Sequence, residues 1–429
     1  MILRNGRFAG VTAVVVALCA TAACGGSSTE TGKELTIWSI WSEGEPNQKV
    51  LAEAVKDFER ETGVKVKAHW KGRTAIKTFL PSLNTDNVPA DLIEGNHREL
   101  TRQFAATKGA LDLTDVYGMT IPGEQATVAQ IVGDAYRKMG TSADGVLAQV
   151  PYQVSTYGWF FNGKDFPELV AAPPKTWPEF VALLDARKAK GRAPLGQDGS
   201  IPNYNLRYLE HFARALLGDA GWHGLAPDKS GQGWRKPEVL KAAQMVEALA
   251  KGGYFAQGFN AAKFPAMQQK WANGESDFLY QGTYLPREVA PYAKPGFEYR
   301  AFRFPSVEGK APTMNVTATG FGIPKKARNA ADAKRFLAFF LSKRYQDKIS
   351  SVALEMSVRK DVPAAPEVAD LKTALDGGEV NEADVLDMGD FNSKVLLPLN
   401  DQLLFGKLTA AEFTERLAEQ AAVYWKSKG

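Results

Sequence analysis

The sequence predicts an α/β protein whose mainly parallel sheets are flanked by helices, and three observations carry that prediction. Leu35 to Trp41 (LTIWSIW) is β-branched and aromatic, the composition of a strand. Asn47 to Thr62 then sets Val50, Leu51, Ala54, Val55 and Phe58 at helical spacing and stops at Gly63. Val64, Val66, Ala68 and Trp70 finally alternate with Lys65, Lys67 and His69, the period of a half-buried strand. Strand, helix and strand of these lengths make a βαβ unit, and its helical crossover requires parallel strands.

The alternation continues downstream. Pro89 to Ile93 predicts a short strand ending in a polar loop, Glu94 to Arg98. Leu147 to Phe161 predicts a long extended run broken at Pro151, because proline has no N–H to give a ladder. Thr176, with Pro178 close behind, opens a helix that runs to Gly191. A helix starting near Asn329 is expected to continue through Ser342 to Ala353. Thr409 and Glu412 form a capping box ahead of Phe413, Leu417, Ala421 and Tyr424. At 429 residues the chain is long enough for two domains.

The N-terminus addresses the chain outward. Arg4 and Arg7 precede an apolar run from Val11 to Ala20, and small residues follow in Thr21-Ala22-Ala23. That order is a signal peptide over residues 1–23, too short in its apolar part to span a bilayer. The two cysteines, Cys19 and Cys24, both fall here. Cys24 sits after two alanines and before GGSS, which resembles a bacterial lipobox with Thr21 where leucine is usual. Lipidation of Cys24 is therefore expected, with residues 24–33 as a flexible tether; ordinary secretion with nearby cleavage is the alternative. Such a chain would sit on the outer face of the cell membrane.

Composition excludes several functions. A 45% hydrophobic and 23% charged content is that of a globular protein. The formal charge of +4, two of it on Arg4 and Arg7, gives no reason to expect nucleic acid as a partner. Neither GxSxG, a Walker loop nor HExxH occurs, and Gly320-Phe321-Gly322 lacks the third glycine of a dinucleotide loop. His69, His97, His211 and His223 are scattered, so no metal, cofactor or catalytic residue is expected.

Over essentially the whole mature part the chain resembles the carbohydrate-binding class of bacterial extracellular solute-binding proteins. The resemblance lies in LTIWSIWSEGEPNQKVLAEAVKDFERETGVKV, PADLIEGNHREL, VPYQVSTYGWFFNGKDF and PPKTWPEFVALLDARKAKG. It continues through NGESDFLYQGTYLPREV, TGFGIPKKARNAADAKRFLAFFLSKRYQDK and SVRKDV. It implies a two-lobed periplasmic-binding-protein-like fold, hinged around a cleft, which captures a sugar and delivers it as a monomer to an ABC importer permease. Lobe 1 would hold residues 34–154 and 306–350, and lobe 2 residues 155–305 and 351–429, with hinge crossings near Val154, Pro305 and Val352.

The same resemblance proposes the ligand contacts. In lobe 1 they are Trp41, Ser42 and Glu43 after the first strand, Asn96 and His97, and Arg73. Glu43 is either a hydroxyl acceptor or a solvated carboxylate, and His97 either a hydroxyl partner or a surface histidine. Trp38 and Trp41 are three apart and should face opposite sides of a strand, so one belongs to the core, and Trp38 is the one expected there. Thr156 and Tyr157 lie in the hinge stretch. Lobe 2 would supply Asn203 and Tyr204, then Gly282, Thr283 and Tyr284, where tyrosine replaces the family's tryptophan. Asp390, Phe391 and Asn392 are candidates by position. An aromatic face suits the apolar C–H side of a sugar. Arg73, Lys77 and Arg98 motivate a second reading, an acidic or phosphorylated solute such as a glycerol phosphodiester or uronate. A secreted polysaccharide-active enzyme is the third.

Overall fold

A computed structural model describes residues 34–377, 380–382 and 390–428. The signal peptide, Cys24 and the tether lie outside the described residues. Among the described residues ten strands alternate with helices: β1 (Leu35–Ser39), β2 (Val66–Trp70), β3 (Leu92–Asn96), β4 (Val150–Asn162) and β5 (Leu195–Gly196) come first. They are followed by β6 (Phe278–Gly282), β7 (Tyr299–Phe302), β8 (Met314–Gly322), β9 (Met356–Ser357) and β10 (Val380–Glu382).

The predicted βαβ unit is present. β1 pairs in parallel with both β2 and β3, and helix Pro46–Thr62 covers them, ended by Gly63 in the left-handed region at φ 75°. That conformation costs glycine nothing. β5 and β6 form a second parallel pair. The two long strands differ from the expected parallel order: β8 runs antiparallel to β3 and β4, and β4 antiparallel to β6, β7 and β9. The reason is topological. A strand that leaves one half of the molecule and joins the sheet of the other enters it from the opposite end.

β4 is the mechanical spine. Val150 to Thr156 pairs with β8, while Tyr157 to Phe161 pairs with β6. Its register shifts between Pro151 and Gln153, where proline interrupts the ladder. Gly320 in β8 is required by close approach, since a Cβ there would lie 2.2 Å from the Val150 carbonyl oxygen.

Two large cores flank this spine. One gathers Ile37, Leu51, Phe58 and Leu92 with Phe321, Phe336 and Phe340. The other joins Trp159, Phe180, Tyr208 and Trp222 to Phe391, Leu403, Phe413 and Leu417 from the C-terminal helices. A smaller cluster of Ile40, Trp41, Ile76, Phe79 and Ile93 sits at the carboxyl ends of β1 and β3. Among the described residues no helix is long and apolar enough to cross a membrane.

Several local expectations are met and others shift. The capping boxes at Thr176 with Glu179 and at Thr409 with Glu412 are both formed. The segment after Asn329 is two helices, Ala330–Phe340 and Lys343–Ser351, broken where Ser342 adopts an extended conformation. Glu94 to Asn96 is not a loop: it completes β3, because Ile93 to Asn96 pairs with β8.

Candidate functional site

The carboxyl end of β1 meets the corner after β6, and the two edges carry different chemistry. On the β6 side, three tyrosines converge. Tyr157 stands on β4, Tyr204 in the first turn of helix Pro202–Leu225, and Tyr284 just beyond β6. The Tyr284 hydroxyl lies 3.0 Å from the Tyr157 hydroxyl and donates to Gln281 Oε1 at 2.8 Å. Tyr204 makes a further side-chain hydrogen bond to Tyr284. Burial holds the Tyr204 and Tyr284 phenols well above their ordinary pKa, so both stay neutral donors. The rings of Tyr157 and Tyr284 meet edge to face at 6.3 Å.

The local sequence builds this corner. Gly282 leaves room for the Tyr284 ring, since a Cβ at Gly282 would lie 2.2 Å from a ring carbon. Thr156 and Thr283 are buried and tie the two strands together. The Thr283 N–H donates to the Thr156 carbonyl at 2.9 Å, and the Thr156 hydroxyl donates to the Asn315 carbonyl at 2.7 Å. These threonines position Tyr157 and Tyr284 and present no side chain of their own to solvent, which corrects their assignment as direct contacts. Arg207 stacks on Tyr157 at 4.8 Å and pairs with the buried Glu210.

On the β1 side, Trp41 is 4% exposed, whereas Trp38 is half-buried with Lys71 at 4.3 Å over its ring. The expected assignment of Trp38 to the core and Trp41 to the open side is reversed. β1 ends at Ser39, so strand alternation does not reach Trp41. The Trp41 indole N–H donates to Glu94 Oε1 at 2.8 Å. Glu94 is itself fully buried and accepts from the Ser39 hydroxyl, the Ile40 N–H and the Tyr152 hydroxyl. Burial pushes the Glu94 carboxyl up.

Arg73 lies 4.2 Å from the centroid of Trp41, donates to the Ile40 carbonyl at 2.6 Å and pairs with Glu45 at 3.0 Å. Arg287, from short helix Leu285–Val289 beside Tyr284, comes within 5.5 Å of the same ring. It donates to Asn47 Oδ1 at 2.7 Å and Glu355 Oε1 at 2.8 Å. Glu288 and Glu355 are both raised to about 7, burial being the largest cause and Arg287 opposing it.

The remaining candidates divide. Ser42, Glu43 and Asn203 are exposed near the two edges. Asn96 is spent as a helix cap, accepting from the Arg98 N–H at 3.1 Å. His97 is 1% exposed, and its Nδ1 accepts from the Ala318 N–H at 3.1 Å; it braces β8 and offers no ligand face. Asp390, Phe391 and Asn392 are also corrected. Phe391 is fully buried and stacks on Trp234 and Trp425, while Asp390 pairs with Lys394 and Lys428 among the C-terminal helices.

Sequence reasoning missed Glu94, Tyr152, Arg287 and Glu355. An acid directly after Leu92-Ile93, and an arginine three positions past Tyr284 in a proline-opened turn, were the available signals. A separate cavity of about 420 Å³ lies beside β7, walled by Phe161, Leu169, Phe302 and Phe304, and shares none of the tyrosine residues.

An α/β molecule with two large cores flanking shared long strands has the two-lobed architecture of a hinged binding protein. Residues 53–375 match the family model of bacterial extracellular solute-binding proteins, and the chain belongs to that family. It is 25% identical over 284 residues to the diacetylchitobiose binding protein NgcE of Streptomyces coelicolor, spanning 64% of this chain but only 60% of that relative. It is 24% identical over 371 residues to the multiple sugar-binding protein of Streptococcus mutans, spanning 82% of each. The fold superposes on the solved bacterial solute receptor AcbH, described as preferring β-D-galactopyranose, with a TM-score of 0.74. That match covers 92% of this chain and 98% of the other at 18% identity.

Proposed function

We propose that the protein is the substrate-binding component of an ABC transporter, capturing a sugar or oligosaccharide by hinge closure and delivering it to the membrane permease. One observation carries the sugar reading: the hydroxyls of Tyr157 and Tyr204 converge on Tyr284. Phenols combine an apolar ring for C–H groups with hydroxyls that both donate and accept. A polyol needs that combination. The names of the sugar-binding relatives agree with it.

We place the lobes at residues 34–154 with 306–350 and at 155–305 with 351–429. Asn315 still binds Glu210, and Thr313 still binds Asp219, of helix Pro202–Leu225. Both bonds tie the start of β8 to lobe 2, which supports a second crossing near Pro305 and just after it. The protein binds without turnover, acts as a monomer, and is anchored to the outer face of the membrane by a lipidated Cys24.

The acidic-solute reading fares worse on electrostatics. Arg73 is already matched by Glu45 and Arg287 by Glu355, and Glu288 adds a further carboxylate nearby. An incoming anion would have to displace these existing partners to reach either guanidinium. The test is thermal shift followed by calorimetry with a panel of neutral sugars, including diacetylchitobiose, against sugar phosphates. Stabilisation by at least one neutral sugar, with no product released, is expected. Stabilisation by phosphates alone, or release of hydrolysed sugar, would replace this reading.

A further inference from the structure

Arg287 makes contacts out of proportion to its place on a short surface helix. It follows β6 on the lobe 2 side, yet its guanidinium reaches Asn47, 240 residues away in sequence on the helix after β1. The same guanidinium binds Glu355, in the turn before β9, and lies 5.5 Å from the centre of the Trp41 ring. Asn47 is in turn fixed by its own donation to Gln153 Oε1 on β4 at 2.8 Å. One side chain thus touches Asn47 and Trp41 of the first lobe and Glu355 beside the third chain crossing.

Trp41 is the other half of the arrangement. Its ring carries Arg73 at 4.2 Å and Arg287 at 5.5 Å, its N–H is held by Glu94, and the residue is 4% exposed. Little of the ring is left for a sugar to stack on. A planar guanidinium can lie along an indole while its N–H groups reach two acceptors, and an ammonium cannot do both.

We propose that Arg287 is the positioning residue that latches the two lobes shut, and that Trp41 is the surface it closes onto rather than a ligand platform. Contacts made only in the closed form shift the opening equilibrium by their own free energy. The latch uses protein groups alone, so it acts with or without ligand and scales the apparent affinity through the closed fraction. The proposal rests on the lobe assignment above, but not on the identity of the ligand.

The test places a fluorophore pair at Lys56 and Lys229, exposed positions assigned to different lobes, in full-length protein lacking Cys19 and Cys24. Distances are measured with no ligand added. Arg287→Ala should raise the open-to-closed ratio about tenfold, the scale of a lost charge-assisted bond. Arg287→Lys, which keeps the charge but not the flat stack, should fall between. Asn47→Ala, acting from the opposite lobe, should open the molecule as well, and the double variant should open no further than the more open single. Unchanged distances in both alanine variants, with cooperative melting retained, would overturn the latch. Should Arg287→Ala fail to fold, Asn47→Ala and Arg287→Lys decide the question. A sugar panel that fails leaves this readout intact, and unchanged distances leave the sugar reading intact.

Discussion

The Tyr284 hydroxyl stands 3.0 Å from the Tyr157 hydroxyl, two residues 127 apart in sequence and joined across the β4–β6 pair. The antiparallel register sets Tyr157 opposite Gly282, so Tyr284 rises directly beyond the end of the ladder. A backbone register has become a hydroxyl-to-hydroxyl contact, and that contact is the centre of the proposed sugar site.

Removing the hub should separate binding from stability. Tyr284→Ala is expected to weaken sugar binding by ~1–3 kcal/mol, the worth of an aromatic anchor at the centre of a site. The melting temperature should move less than on truncating a fully buried ring, because Tyr284 keeps part of its surface exposed. Tyr284→Phe keeps the ring and loses the hydroxyl, so its loss should be smaller, about 1 kcal/mol. Calorimetry on both variants measures the two terms, and equal affinity in all three proteins would dismiss the hub.

A methyl group should do nearly the same damage from beneath. In Gly282→Ala the new Cβ would sit 2.2 Å from the Tyr284 ring, so the ring must rotate away. Gly282 is buried, and the three atoms nearest the added Cβ all belong to Tyr284. A drop in affinity close to that of Tyr284→Ala is expected, with a smaller further loss when the two changes are combined. Additive losses would show that Gly282 acts elsewhere.

Phe391 offers the converse experiment, because the sequence placed it in the site and the structure places it in the core. Its ring stacks on Trp234 and Trp425 at zero exposure. Phe391→Ala should therefore cost ~3–5 kcal/mol of stability while the folded fraction binds sugar normally. Denaturant midpoints paired with calorimetry check both halves.

How far the sequence could be read depended on the range of the forces involved. The βαβ start, the helix caps and the chain-long resemblance are local or cumulative signals, and Pro46–Thr62, Thr176 and Thr409 appear where the pattern places them. Tyr157, Tyr204 and Tyr284 were named from the family resemblance, and the hydroxyls of Tyr157 and Tyr284 lie 3.0 Å apart. Trp41 was misread because alternation was extended past Ser39, where β1 stops. His97 was misread because pairing with β8, a partner more than two hundred residues away, turned a polar loop into a strand end. Arg287 and Glu355 were invisible for a related reason. Each is unremarkable in its own segment and gains meaning only when three chain crossings meet.

Glu355 closes the set with a pH dependence whose sign is fixed. Its carboxyl is raised from 4.5 to about 7, chiefly by burial, with Arg287 pulling the other way. Between those values the folded protein holds a proton that the unfolded chain has released, so this group's contribution to stability falls as pH rises from about 5 to about 7. Glu288 behaves alike, while His211, lowered to about 4 by burial, works in the opposite direction over an overlapping range. The wild-type profile is thus a sum, and the variant isolates one part of it. Glu355→Gln removes the titration but keeps an acceptor for Arg287. Relative to wild type it should gain stability between pH 5 and pH 8, by up to about 3 kcal/mol from the size of the shift. Urea midpoints at the two pH values give the difference, and a gap that stays constant would mean Glu355 does not titrate in this range.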